Sequence, residues 1–255
     1  MILKVDLNLD AGESPEALAD GSEERLYDLV SSVNIACGGH AGDLQTMSQA
    51  VKLAKAKGLA IGAHPSFPDR VGFGRTRLSI SSEDLAISLL SQMQLLKRVC
   101  DAEGVILSRI KAHGALYNLS ADDPALGDVL IGVVKVFDSQ LDVMGLAGSS
   151  FLERVSAAGL NAVAEGFVDR RYDSSGRLRS RSLPDALMTD PEEAGEQAVD
   201  LVKARRVQSL CIHSDIPGAF ERIRAVRAAL IKAGIRICSE RCGGRVNVKS
   251  GEDPE

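Results

Sequence analysis

Short apolar runs alternate with longer stretches of helical spacing along nearly the whole chain, the signature of repeated βα units around a parallel sheet. The runs predict strands over 3–9, 32–37, 59–63, 108–112, 142–147, 162–166 and 208–213, with a weaker eighth over 235–238. Helical spacing predicts helices over 22–30, 43–57, 82–103, 123–137, 149–158, 190–205 and 217–233. Start signals accompany them. Ser81 precedes Glu83 and Asp84, Asp190-Pro191-Glu192-Glu193 combines a cap, a first-turn proline and acids on the helix dipole, and Pro217 follows Asp215. Gly58, Gly104, Gly159 and Gly234 each stand between a helical stretch and a strand, as a left-handed terminator does.

Seven or eight such units predict a single α/β domain, a βα barrel of seven or eight mostly parallel strands, over 1–248, followed by a polar tail over 249–255. An open doubly wound sheet has the same periodicity, since ring closure leaves no local signal. Two connections are long, 64–80 and 167–189, and the second carries Arg170, Arg171, Arg177, Arg179 and Arg181. Loops of that length in a compact domain serve function or motion.

Composition narrows the class. With 45% hydrophobic and 25% charged residues the chain of 255 residues has the balance of a globular protein. Aromatic residues at 4%, no Trp and a net charge of -5 argue against a base-stacking platform or a phosphate-backbone binder. Five cysteines without a CxxC pair read as reduced thiols, and neither a leader-like start nor a membrane-length apolar run is present, so a soluble cytoplasmic protein is expected.

The period of two in Val5-Asp6-Leu7-Asn8-Leu9-Asp10 puts Asp6, Asn8 and Asp10 on one face. In a barrel that face is the interior, where carboxylates mark an active or cation site; on a solvated edge strand the same alternation is bland. Asp10 and Glu13 fall at the C-terminal end of that strand. His40, His64, His113 and His213, the four histidines of the chain, each fall at or just past the end of a different predicted strand, together with Lys111, Glu165, Asp169 and Asp215. A lone histidine at a strand end is ordinarily a loop former, but all four on one rim point to acid–base chemistry or metal ligation. Asp10 with His40 and His64, or with His64 and His113, makes a carboxylate-plus-two-imidazole metal set, although no HxxxH or HExxH spacing supports it. Arg70, Arg75, Arg77, Arg170 and Arg171 suit anionic oxygens. Neither a P-loop nor a GxGxxG fingerprint is present, and Gly148-Ser149-Ser150 reads as a helix cap.

The ordered motifs Asp6-Leu7-Asn8 with Gly12-Glu13-Ser14, Asn34-Ile35-Ala36-Cys37-Gly38 with His40-Ala41-Gly42-Asp43, Gly62-Ala63-His64-Pro65-Ser66, Gly72-Phe73-Gly74-Arg75 and His113-Gly114-Ala115-Leu116-Tyr117-Asn118 resemble the LamB/YcsF family. The likeness continues through Phe167, Asp169-Arg170, Tyr172, His213, Asp215 and Pro217. It implies a glycoside hydrolase/deacetylase-like barrel and opening of 5-oxo-L-proline to L-glutamate coupled to ATP hydrolysis, with Mg²⁺ and with separate B and C subunits. A homo-oligomer is compatible with it. On this reading Asp10, Glu13, His40, His64, Lys111 and His113 are the catalytic candidates. Asp6, Asn8, Arg70, Arg75, Tyr117, Asn118, Asp169, Arg170, His213 and Asp215 are the substrate or phosphate binders. The chain departs from the commoner family pattern at Leu9, Ala11, Gly39, Ala112 and Ser214. The alternatives are a metal-dependent deacylase and a non-catalytic ligand-binding subunit.

Overall fold

The computed structural model describes residues 2–181 and 183–239; the expected tail over 249–255 and Cys242 lie outside them. The first half of the chain runs β1 (Lys4–Ala11), α1 (Pro15–Ala19), α2 (Ser22–Tyr27), β2 (Ser32–Ala36), α3 (Leu44–Ala56), β3 (Ala60–His64), α4 (Ser82–Ala102), β4 (Leu107–Lys111), α5 (Gly114–Ser120) and α6 (Pro124–Phe137). It continues through β5 (Asp142–Leu146), α7 (Ser150–Ala157), β6 (Asn161–Phe167), α8 (Pro191–Lys203), β7 (Ser209–Cys211), α9 (Ala219–Lys232) and β8 (Arg236–Ile237).

Strands β1 to β7 pair in parallel in chain order, and β1 pairs with both β2 and β7, so the ring closes. The open-sheet alternative is thereby excluded. The eighth strand stands outside the ring. It pairs only with the first residues of β1, Lys4↔Arg236 and Val5↔Ile237, below the stretch Asp6–Asn8 that pairs with β7.

Pairing on both sides also rules out a solvated edge for β1. Leu7 and Leu9 point outward and are fully buried under the helices, while Asp6, Asn8 and Asp10 point into the barrel. The interior carboxylate at the bottom is neutralised by Arg109 from β4, 2.5 Å from Asp6 Oδ2, and accepts from the hydroxyls of Ser32 at 2.9 Å and Ser209 at 2.6 Å. Asp6 and Asn8, expected among the substrate binders, are therefore interior structural groups. Asn8 donates to Glu165 and Ser209 and accepts from Asn34.

Local sequence accounts for the helix ends. Ser81, Asp190 and Ser149 cap α4, α8 and α7 as their positions predicted, and Asp43 forms a capping box with Thr46 at α3. Gly58, Gly104, Gly159 and Gly234 all have positive φ. Some helix boundaries differ from expectation, and two short helices were not expected. α9 begins after Gly218 rather than at Pro217, α2 stops at Tyr27, and α1 and α5 span five and seven residues, too short to show a helical repeat. No described helix is long and apolar enough to cross a membrane. Cys37, Cys100, Cys211 and Cys238 are free thiols.

Removing one partner of a buried ion pair strands the other charge. Asp6→Ala is expected to lower the unfolding free energy by about 3–5 kcal/mol, and adding Arg109→Met to recover most of that loss, as read by denaturant unfolding.

Candidate active site

The polar interior opens upward into a cavity of about 490 Å³ at the C-terminal rim. At its floor Lys111 Nζ lies 3.0 Å from both Asp10 Oδ1 and Glu165 Oε1 and 3.1 Å from Cys211 Sγ. Burial works against the lysine charge, yet Asp10, Cys211 and Glu165 overcome it and hold the ammonium well above its ordinary value. Burial likewise opposes the Asp10 charge, but His64 and Lys111 keep that carboxyl well below the usual range. Glu13 is pushed the other way, up to about 7, by burial and by the charge of Asp10.

Three imidazoles gather around Glu13. Its Oε1 lies 2.9 Å from His40 Nε2, 3.3 Å from His113 Nδ1 and 3.9 Å from His64 Nε2. Backbone carbonyls hold two of the rings: Lys111 O is 2.8 Å from His64 Nδ1, and Phe73 O is 3.0 Å from His113 Nε2. A carbonyl can only accept, so each of those nitrogens carries its proton. His40 stacks on His113 with centroids 3.7 Å apart and planes within 3°. Burial drives the His40 ring down to about 2 and depresses His113 further, so neither is a cation at neutral pH.

His213 stands on the opposite wall. Asp169, fully buried, accepts from both its backbone N–H at 2.6 Å and its Nδ1 at 2.8 Å, and the Phe167 ring stacks against it. The expected binder Asp169 is thus the orienting partner of a histidine.

Arginines make the mouth. The segment after β6 folds back through antiparallel bridges Arg170↔Leu187 and Tyr172↔Leu178 and brings Arg177, Arg179 and Arg181 over the cavity. Asp215 is held between Arg75 at 2.6 Å and Arg181 at 3.0 Å, Arg177 pairs with Asp122, and Arg179 with Asp185. Arg170 differs. It is buried, lines the cavity and makes no ion pair among the described residues; one guanidinium nitrogen donates to Arg179 O, and Nε has no partner. Burial, with the like charge of Arg181, lowers its pKa against the opposing pull of Asp169.

The rim thus unites Asp10, Glu13, His64, Arg75, Lys111, His113, Tyr117, Asn118, Arg170, His213 and Asp215 on one cavity. His40 is buried behind it against Glu13. Arg70 is diverted, donating to the carbonyls of Gly38 and Gly42, and Arg77 and Arg171 pair outside with Asp123 and Glu193. Of the expected metal set, His40 and His64 gather with Glu13 and His113, while Asp10 binds Lys111 through Oδ1 and reaches His64 Nε2 at 3.2 Å through Oδ2. Phe73 O and Cys211 escaped sequence reasoning, since a loop carbonyl and a buried thiol carry no pattern of their own.

A family description matches residues 5–242. The chain belongs to the LamB/YcsF family. Relatives named as the A component of 5-oxoprolinase include one from Thermus thermophilus, 43% identical over 92% of this chain and 99% of its own length, and one from Chloroflexus aggregans, 40% identical over 94% and 100%. The crystal structure of a "lactam utilization protein" from Thermus thermophilus superposes with a TM-score of 0.86 at 42% identity, covering 92% of this chain and 99% of that one. A "putative cellobiose-phosphate cleavage protein" from Enterococcus faecalis shares the fold alone, with a TM-score of 0.61 at 15% identity.

Of the LamB/YcsF positions at which this chain departs, Ala112 and Ser214 line the cavity and Leu9 packs outward under the helices. Gly39 has no room for a side chain: a Cβ there would lie 2.4 Å from Gln92 Oε1 and 2.5 Å from Ser66 Oγ. Gly114, at φ +59, begins α5 directly after His113, and a Cβ would lie 2.5 Å from Gly74 O, the neighbour of the Phe73 carbonyl that anchors that histidine. Gly114→Ala is expected to cost about 2–4 kcal/mol through left-handed strain and backbone overlap, measured by thermal unfolding.

Proposed function

We propose that this chain is the A-type component of an ATP-dependent 5-oxoprolinase and opens 5-oxo-L-proline to L-glutamate together with B and C subunits. The observation that carries this reading is the unpaired, buried Arg170 on the cavity that also holds the Asp169–His213 pair and the Lys111–Asp10 floor. The relatives of the same length named for this component point the same way.

5-Oxoproline is a five-membered lactam with a free carboxylate. Arg170, with Arg75 and Arg181 at the mouth, suits that carboxylate, because guanidinium offers two parallel donors to its oxygens. A lactam carbonyl is a poor electrophile, so the coupling to ATP supplies activation by phosphorylation of the carbonyl oxygen, and the arginine side also suits phosphate oxygens. The nucleotide itself has no cradle of the usual kind here. The glycine-rich turn over 38–42 enters α3, but the Asp43 carboxylate already accepts from Thr46 N there, where a phosphate would have to bind. No part of ATP or Mg²⁺ binding is therefore assigned to that turn.

Ring opening needs a water deprotonated, the C–N bond broken and a proton delivered to the departing nitrogen; this leaves an acyl phosphate, from which a second water releases inorganic phosphate and the glutamate carboxylate. His213, oriented by Asp169, takes the proton from water and returns it to nitrogen, as a histidine held by a carboxylate does. Lys111, a permanent cation beside ionised Asp10, faces the negative charge that develops on the carbonyl side.

With B and C subunits added, the full chain is expected to release glutamate from 5-oxoproline only when ATP is present. Asp10→Asn, His64→Ala and His213→Asn should each cut the rate by about 10²–10⁴-fold, and Arg170→Met should raise KM more than it lowers kcat. Full ATP-dependent activity in Asp10→Asn and His64→Ala would overturn the assignment.

A further inference from the structure

As neutral rings, His64 and His113 meet with the wrong nitrogens for a hydrogen bond. The carbonyls of Lys111 and Phe73 fix protons on His64 Nδ1 and His113 Nε2, so in the neutral rings His64 Nε2 and His113 Nδ1 carry lone pairs. Those two nitrogens are 2.9 Å apart. Two acceptors at that distance, with Glu13 Oε1 3.3 Å from one and 3.9 Å from the other and Asp10 Oδ2 3.2 Å from His64 Nε2, repel unless a cation, either a second proton on His64 or a metal ion, lies among them.

Protein cations do not fill the gap. The ion partners of Glu13 among the described residues are the three imidazoles. The neighbouring group of Asp10, Cys211 and His213 provides the contrast, since Lys111 Nζ already contacts both Asp10 and Cys211 there.

Spacing and orientation select the ligands. A four-coordinate ion with bonds of 2.0–2.1 Å keeps neighbouring donors about 3.4 Å apart, and the separations of 2.9, 3.3 and 3.9 Å among His64 Nε2, His113 Nδ1 and Glu13 Oε1 bracket that value. The His64 and His113 rings stand at 88°, so their in-plane lone pairs can converge on one point. His40 is parallel to His113 within 3°, and lone pairs of stacked rings run side by side. His40 therefore belongs outside the ligand set, donating from Nε2 to Glu13 at 2.9 Å. Histidine ligands characteristically donate their second N–H to a carbonyl, and His64 and His113 both do so.

We propose that His64 Nε2, His113 Nδ1 and the Glu13 carboxylate bind one divalent transition-metal ion, with His40 as a positioning residue that braces Glu13. Two imidazoles and a carboxylate suit Zn²⁺, Mn²⁺, Fe²⁺ or Co²⁺ better than Mg²⁺. All three ligands line the cavity, so coordination positions stay open toward it, the pattern of catalytic rather than structural sites. When bound, such an ion supplies a Lewis acid to the ring-opening site. What the ion does rests on the lactam reading; whether it binds does not.

The full chain, stripped with a chelator and desalted, is titrated with Co²⁺ and Zn²⁺ by calorimetry, and the Co²⁺ form is followed by visible absorption. One ion per chain and ligand-field bands of a low-coordinate site are expected. His113→Gln and Glu13→Gln should abolish stoichiometric uptake, whereas His40→Ala should keep one ion and the same bands with affinity about 10–100-fold weaker. Absence of stoichiometric uptake by the wild-type chain overturns the proposal and leaves a shared proton between the rings; uptake unchanged in both His113→Gln and Glu13→Gln overturns it as well. The wild-type titration decides the matter if a variant does not fold. ATP-dependent ring opening by metal-free protein would overturn a catalytic role for the ion and leave the 5-oxoprolinase reading standing. Stoichiometric binding without ring opening in the reconstituted system would do the reverse.

Discussion

Two cations on one strand, Arg109 and Lys111 of β4, reach across the barrel to two carboxylates on another, Asp6 and Asp10 of β1. Everything at the rim depends on that double crossing. A barrel interior of this length is ordinarily filled by branched apolar side chains, and an apolar filling would match or exceed a buried ion pair in stability. What the charged filling provides is orientation. Asn8, between the two carboxylates, accepts from Asn34 and donates to Glu165 and Ser209, so the polar column is tied laterally to β2, β6 and β7 as well as to β4.

Most strands were legible as short apolar stretches between helical ones and β1 by its period of two, and the rim because four histidines fall at four strand ends. Arg109 and Lys111, two residues apart on β4, both point inside, though nothing in the sequence says which acid each meets. Closure of the ring was not legible, since the pairing of β1 with β7 joins residues about two hundred positions apart and leaves no periodic trace. Arg70 and Arg170 show the same limit. Both are arginines in long loops, yet one ends on the carbonyls of Gly38 and Gly42 and the other lines the cavity without an ion partner. Loop paths follow from tertiary packing, which local spacing does not encode.

Two walls with different chemistry face each other across the cavity. The C-terminal ends of β1, β2, β3 and β4 and the loops after them bring Glu13 and three imidazoles, while the segments after β6 and β7 bring the arginines and the Asp169–His213 pair. A ligand that is anionic at one end and has a carbonyl at the other spans the two in one orientation only. The arginine wall is itself neutralised in part by Asp215, Asp122 and Asp185, which keeps four nearby guanidinium groups compatible with a folded hairpin.

Lys111 occupies a singular place between these walls. Its ammonium contacts Asp10, Glu165 and Cys211, and its carbonyl oxygen receives the proton of His64 Nδ1. One residue thus fixes the charge of the floor through its side chain and the tautomer of an imidazole through its backbone. The two settings are mechanically geared: a substitution that lets the end of β4 relax, even one that preserves the positive charge, retunes the histidine wall at the same time.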